Sequence, residues 1–163
     1  MTENDNASST SNEACVFRRA VAEDMPSVAR LYRLAISTAL PLLPALHTPE
    51  EDREHFCHTV FQQTSVWMVE LNQKLAGFIA FRPGWVDQLH VHPDHQGRKL
   101  GSRLLDLAKA RSATPELRLW TFQCNNPARR FYAAHGFEVE RMTGGTDNEE
   151  KQPDVLYVWT RPS

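Results

Sequence analysis

The run Gln96-Gly97-Arg98-Lys99-Leu100-Gly101 sets two glycines and two cations between a strand-like stretch, 85–91, and a helix-like stretch lasting to about Arg111. A turn of this kind can hold phosphate. Helix N-termini leave backbone N–H groups unpaired, and those donors, with the helix dipole, favour an anion. Glycine lets the backbone come close to it. A second run, Asn125-Asn126-Pro127-Ala128-Arg129-Arg130-Phe131-Tyr132-Ala133-Ala134-His135-Gly136-Phe137, reads as a short helix with marked ends. Asn125 or Asn126 caps it, Pro127 sits in its first turn, and Gly136 fits a left-handed stop. A third run, His90-Val91-His92-Pro93-Asp94-His95, fits the pattern His-x-His-x-Asp-His. Imidazoles at that spacing can converge on zinc and activate a water.

In this order and spacing, the first two motifs resemble the GNAT N-acetyltransferase superfamily, over residues 16–159. There the pattern Gln/Arg-x-x-Gly-x-Gly/Ala binds the pyrophosphate of acetyl-coenzyme A. An Asn-x-x-Ala-x-x-Phe-Tyr helix ending in Gly-Phe follows it. The resemblance implies transfer of an acetyl group from acetyl-CoA to a primary amine, by direct attack in a ternary complex. No residue stands out as a nucleophile for an acyl-enzyme, although Cys124 lies near in sequence.

It also implies roles for particular residues. The backbone of the fourth strand, at Leu89 and Val91, pairs with the pantetheine arm. Residues Gln96, Gly97, Arg98, Lys99, Leu100, Gly101 and Ser102 hold the phosphates, with Arg103 adding charge nearby. Asn125 touches the pantetheine or phosphate arm, and Arg129 adds charge from the second helix. Tyr132 matches the tyrosine that protonates the leaving thiolate, and a phenol of ordinary pKa is protonated at neutral pH. The family's glutamate on the fifth strand is replaced by Trp120. Asp87 is then the best remaining carboxylate for a general base, with His90 behind it. Position 99 departs from the family's preference for glycine. Lys99 can present its N–H and its ammonium to phosphate, but cannot adopt every backbone conformation glycine can.

Two other readings compete. One is a zinc-dependent hydrolase using His90, His92, Asp94 and His95. Against it, only His135 follows His95 in the chain, and such hydrolases need a larger framework, so the main reading assigns no metal. The other is a non-catalytic acyl-CoA sensor, which Lys99 and the unclear base leave open.

Composition narrows the partners. The chain has 163 residues and a formal net charge of −2, so no bulk basic field points to nucleic acid. No apolar run approaches a membrane span. Residues 1–13 are Ser/Thr/Asn-rich, lack signal-peptide character and read as a disordered leader before one domain, 14–163. The 3 cysteines, Cys15, Cys57 and Cys124, are scattered and suit a reducing cytoplasm, with buried inert thiols as the expectation. The acceptor is a small-molecule amine or a peptide. Dimerisation is common in the family, so a homodimer stays open.

The elements that must position these residues follow from hydrophobic period and turn signals. Strands are expected at 16–20, 66–71, 75–81, 85–91, 117–122, 137–141 and 155–159. Asp24 caps a first helix with Val28, Leu31 and Ala35 on one face. Thr48-Pro49-Glu50-Glu51 starts a second helix with a capping box. Asn72-Gln73-Lys74 reads as a hairpin turn. The order predicts an α/β (α+β) mixed sheet of about seven strands flanked by about four helices. The resemblance adds that the fourth and fifth strands splay apart to admit the coenzyme. The 143–154 connection is long and acidic, with Asp147, Glu149, Glu150 and Asp154. It suits a cationic acceptor or a solvated loop. His47 lies in the segment that lines the family's acceptor cleft, with structural and contact roles both open.

Overall fold

The computed structural model describes residues 14–163. The leader expected over residues 1–13 lies outside them. A 7-stranded sheet has the order β1-β2-β3-β4-β5-β7-β6. Its strands are β1 (Cys15–Arg19), β2 (Ser65–Leu71), β3 (Lys74–Arg82), β4 (Trp85–Val91), β5 (Glu116–Phe122), β6 (Glu138–Thr143) and β7 (Asp154–Thr160). Neighbours pair antiparallel except β4 and β5, which run parallel. Those two meet only at Trp85 and Arg118, so the sheet is open along the rest of their length.

Helices cover both faces. On one face lie α1 (Met25–Ala39) and α2, which begins as Pro49–Glu54, continues as a π-helical segment His55–Val60 and closes with Phe61–Gln63. They bury Val28, Leu31, Phe56 and Val60 against Val66, Met68 and Phe78. On the other face lie α3 (Leu100–Arg111) and α4 (Asn126–Ala134). Leu100, Leu104, Leu105 and Ala108 of α3 pack on Ile79, Leu117, Leu119 and Val155. β3 is therefore buried on both faces over residues 76–81.

Local signals explain most boundaries. Asn72 and Gln73 both take positive φ, 50° and 68°, the backbone of a two-residue hairpin turn. The capping box closes as the sequence predicts: Glu51 N–H donates to Thr48 Oγ1 (3.2 Å) and Thr48 N–H to Glu51 Oε1 (3.1 Å). Asp24 differs. Its carboxylate takes both guanidinium nitrogens of Arg18 (2.7 and 2.8 Å) and the N–H of Val21 (2.8 Å), and makes no cap bond to α1. A bidentate charge-assisted pair outcompetes a neutral cap. The cysteines also depart from expectation. Cys15 and Cys124 are exposed, and only Cys57 is partly buried.

Candidate active site

The gap between β4 and β5 opens into a cavity of about 580 Å³. Leu89 and Val91 of β4 form one wall, and Asn125, Ala128, Phe131 and Tyr132 of α4 the other. The turn residues Gln96, Gly97 and Lys99 and the first turn of α3, Leu100, Gly101 and Ser102, form its end. Ala35, Thr38 and Ala39 of α1 also line it.

Backbone conformation prepares this end for an anion. Gly97 has φ 81° and Lys99 φ 62°, ψ 19°, both left-handed. A β-carbon on Gly97 would meet nothing within 4 Å. Lys99 is the N-cap of α3, and no side chain caps the helix. Its first-turn N–H groups are thus left to a ligand at a helix start facing a cavity. The donor set and the cradle fit a phosphorylated coenzyme.

Tyr132 is set by α4. Asn125 caps that helix through Ala128 N–H (3.3 Å), and Gly136 at φ 85° lets it stop. The ring is buried between Phe131, Phe137 and Tyr157, at centroid distances of 5.3, 5.6 and 6.2 Å. Burial pushes the phenol pKa above its ordinary value, so the hydroxyl stays a donor at neutral pH.

Comparison with known proteins fixes the family. The model of the acetyltransferase (GNAT) family matches residues 28–137. This chain belongs to the GNAT acetyltransferase family. It is 34% identical over 94 residues to the peptidyl-lysine N-acetyltransferase YiaC of Escherichia coli K12, a match covering 57% of this chain and 62% of that protein. Among solved structures, apo YjaB of Escherichia coli superposes with a TM-score of 0.74 at 19% identity, covering 91% of this chain and 99% of that one. The PaiA N-acetyltransferase of Thermoplasma acidophilum, solved with coenzyme A, gives 0.73 at 19% identity, covering 90% and 99%. The donor of a GNAT acetyltransferase is acetyl-CoA. No helix among the described residues is long and apolar enough to cross a membrane.

In this GNAT fold some expected site residues lie elsewhere. Asp87 is the extra residue of a β-bulge, since Ala80 pairs with Gln88 and Phe81 with Val86. The bulge turns it outward, where it pairs with Arg82 (2.8 Å), and it lines neither cavity. Arg129 does not line the coenzyme cavity either. Its Nε donates to Tyr157 Oη (3.1 Å) and a terminal nitrogen to the carbonyl of Gln123 (3.3 Å). Arg98 is exposed on the turn, outside the lining. Arg103 stacks over Phe17 at 4.4 Å. The remaining expected coenzyme residues, Leu89, Val91, Gln96, Gly97, Lys99, Leu100, Gly101, Ser102 and Asn125, come together with Tyr132.

Within the histidine run, His92 and His95 meet with ring centroids 5.3 Å apart, while His90 packs against other rings. His90 packs between Tyr32 and Phe78, with Nε2 2.9 Å from Gln88 Oε1. Burial lowers its pKa from 6.5 to about 4, so it is neutral near pH 7. His92 Nδ1 is occupied by the N–H of Asp94 (3.1 Å). Among the described residues no group of three or more His, Cys, Asp or Glu is placed to hold a metal ion. That removes the geometric support for the hydrolase reading.

A second cavity, about 640 Å³, lies on the α1–α2 face. Gln88 lines it, while its hydrogen-bond partner His90, on the same face of β4, lines the coenzyme cavity, so the two spaces adjoin along that strand. Its carboxylates are Glu51, Asp52 and Glu54 from α2 and Glu149 and Glu150 from the β6–β7 connection. No lysine or arginine is among its lining residues. His47 joins the walls, with Nε2 2.6 Å from Glu149 and Nδ1 3.4 Å from Glu51. The bond to Glu51, and then the charge of Glu149, raise its pKa. Arg33 neutralises Asp52 at 2.8 Å. The 143–154 connection is exposed or half-buried over most of its length but bonded to itself: the Asn148 amide donates to Gln152 O (2.6 Å) and to Asp154 Oδ2 (3.0 Å). Sequence reasoning missed Tyr32, Asp52 and Gln88 here. The capping box located Glu51, but nothing local shows that it faces Glu149.

Proposed function

We propose that this GNAT protein transfers the acetyl group of acetyl-CoA to the ε-amine of a lysine in a peptide or protein. The observation that carries this is the acidic cavity, lined by no lysine or arginine, that adjoins the coenzyme cavity along β4. A lysine is a cation on a long apolar stem, and carboxylates on two walls suit its ammonium. The 34% identical relative, a peptidyl-lysine N-acetyltransferase, agrees with this class.

The donor supplies a thioester carbonyl as the acetyl source. The turn and the start of α3 hold its phosphates, and the open edge of β4 aligns its arm. The amine attacks directly, while Tyr132 donates a proton to the departing sulfur. Asp87 is committed to Arg82. The amine's proton therefore leaves toward the carboxylates of the second cavity, directly or through water. Among the described residues Glu54 and Glu150 carry no ion pair, whereas Glu51, Glu149 and Asp52 do. The free thiols of Cys15, Cys57 and Cys124 are consistent with a cytoplasmic setting.

An acceptor panel tests the reading. It would compare lysine peptides, lysine-free peptides with open N-termini, and small polyamines. Release of coenzyme A thiol gives rates, and mass spectrometry locates the acetyl group. Lysine peptides should react best. The double variant Glu149→Gln, Glu150→Gln should raise their KM by about tenfold, as expected for ~1.4 kcal/mol of lost pairing. Turnover confined to small amines would overturn the lysine assignment. Coenzyme binding without turnover of any amine would favour the sensor.

A further inference from the structure

The first turn of α3 carries a hydroxyl whose hydrogen is already committed. Ser102 lines the coenzyme cavity, and its Oγ lies 2.8 Å from His135 Nε2. The other ring nitrogen, Nδ1, lies 2.7 Å from the carbonyl oxygen of Phe131. A carbonyl only accepts, so Nδ1 carries a hydrogen. In the neutral ring Nε2 is then the acceptor, and Ser102 donates to it. Held this way, Ser102 offers lone pairs, not a hydrogen, to anything in the cavity. That is the wrong polarity for a phosphate.

We propose that His135 is a positioning residue for the coenzyme phosphates, acting through Ser102 and coupled to its own protonation. The proposal rests on the coenzyme reading above. In the imidazolium both nitrogens donate: Nδ1–H still to Phe131, and Nε2–H now to Ser102 Oγ. The Ser102 hydrogen is released and can turn to a phosphate oxygen, beside the uncapped N–H groups of α3. The new positive charge also sits behind that hydroxyl. Phosphate binding and protonation of His135 therefore promote each other, as linkage requires.

The surroundings allow the charge change. His135 closes α4, where the helix dipole favours a cation. Its ring stacks on Phe131 at 4.2 Å, a face that tolerates a cation. From α3, Lys109 reaches the carbonyl of His135 (2.6 Å) and opposes the change, while Asp106, which acts on Lys109, offsets it. From the sheet, Trp159 contributes an uncharged ring beside Gly136. Arg130 of α4 is exposed to solvent. Histidine is the side chain whose charge ordinarily changes between about pH 5 and 8.

Calorimetry with coenzyme A, from pH 5.5 to 8 in buffers of different ionisation enthalpy, tests this. The wild-type protein should take up a proton on binding, and its affinity should fall by about fivefold or more across the range, a typical worth for one charge-linked hydrogen bond. Ser102→Ala and His135→Gln should both flatten that slope and remove the proton uptake. Pantetheine, which lacks the diphosphate, should show neither effect with the wild type. Nitrogen-15 spectra of the free protein should show His135 as the Nδ1–H tautomer. Should His135→Gln fail to fold, Ser102→Ala, which keeps the imidazole, carries the test. Coenzyme A binding with the same pH slope in wild type and Ser102→Ala overturns the proposal. Absence of coenzyme A binding at every pH overturns the coenzyme reading with it.

Discussion

A β-carbon on Gly101 would lie 3.5 Å from Cζ of Phe131 and 3.6 Å from Cγ2 of Val91. The glycine that ends the 96–101 turn is thus also the seat on which α4 docks against α3 and β4. Phe131 precedes Tyr132, so this contact fixes where the phenol stands. Separations of this size are ordinary van der Waals contact, and one added methyl fits. A branched side chain presses on both, and Phe131 and Val91 are partly buried and packed against the core.

Gly101→Ala should therefore keep both stability and coenzyme affinity close to wild type. Gly101→Val should lose about 1–3 kcal/mol of stability, the usual cost of overpacking, and weaken coenzyme binding. Urea unfolding and calorimetry measure the two effects. A stable Gly101→Val that binds normally would show that α4 does not depend on this seat.

Lys99 stands at φ 62° where the family prefers glycine. A non-glycine residue held left-handed costs about 1–2 kcal/mol, and glycine in the unfolded chain returns part of that. Lys99→Gly should therefore stabilise the fold by about 1 kcal/mol in urea unfolding. Lys99→Ala retains the strain and removes only the ammonium. Comparing coenzyme affinity in the two variants separates loop shape from charge. If Lys99→Gly proves less stable than Lys99→Ala, the left-handed strain at this position is not significant.

What could be read from sequence divides along a physical line. The left-handed turn before α3, the α4 caps, the Asn72-Gln73 hairpin and the capping box at Thr48 are set by residues within a few positions of one another, and each leaves a local signature. The outward direction of Asp87 depends on a bulge, and a bulge is visible only when β3 is laid beside β4. The placement of Arg129 is equally hidden, because Tyr157, 28 positions away, supplies its partner. The second cavity was only half visible. The acidic connection and His47 stand out in the chain, but their meeting with α2 is a tertiary event. Ser102 and His135 show the same limit, since their contact spans 33 positions.

Acid should expose the cost of burying His90. Its pKa in the fold is about 4, below the ordinary 6.5, so between these values the unfolded chain binds a proton that the native ring refuses. Stability from this group is complete above pH 6.5 and is lost as pH falls toward 4. The full loss is about 3 kcal/mol. Carboxylates add to acid sensitivity, so the informative quantity is a difference. Between pH 6.5 and 4, wild-type stability should fall more steeply than that of His90→Phe, which keeps an aromatic ring against Tyr32 and Phe78. Parallel curves from urea unfolding at each pH would mean that His90 takes its proton as freely folded as unfolded.

Tyr132 is the side chain on which the chemical step is expected to depend most. It lines the coenzyme cavity, its ring is locked by Phe131, Phe137 and Tyr157, and burial keeps its hydroxyl protonated. A thiolate leaving group needs a proton as it departs, and this phenol can supply one without first having to acquire it. Tyr132→Phe removes one oxygen and leaves the packing, so the variant should fold and bind coenzyme A with little change. Turnover should fall by ~10²–10⁴-fold, the span of general-acid contributions. The loss should appear in kcat rather than in the coenzyme KM, because the bond to the sulfur strengthens only as charge develops there. Single-turnover kinetics on a reactive lysine peptide isolate the chemical step from product release. A wild-type rate in that experiment would remove Tyr132 from the mechanism and leave its hydroxyl as a feature of the cavity wall.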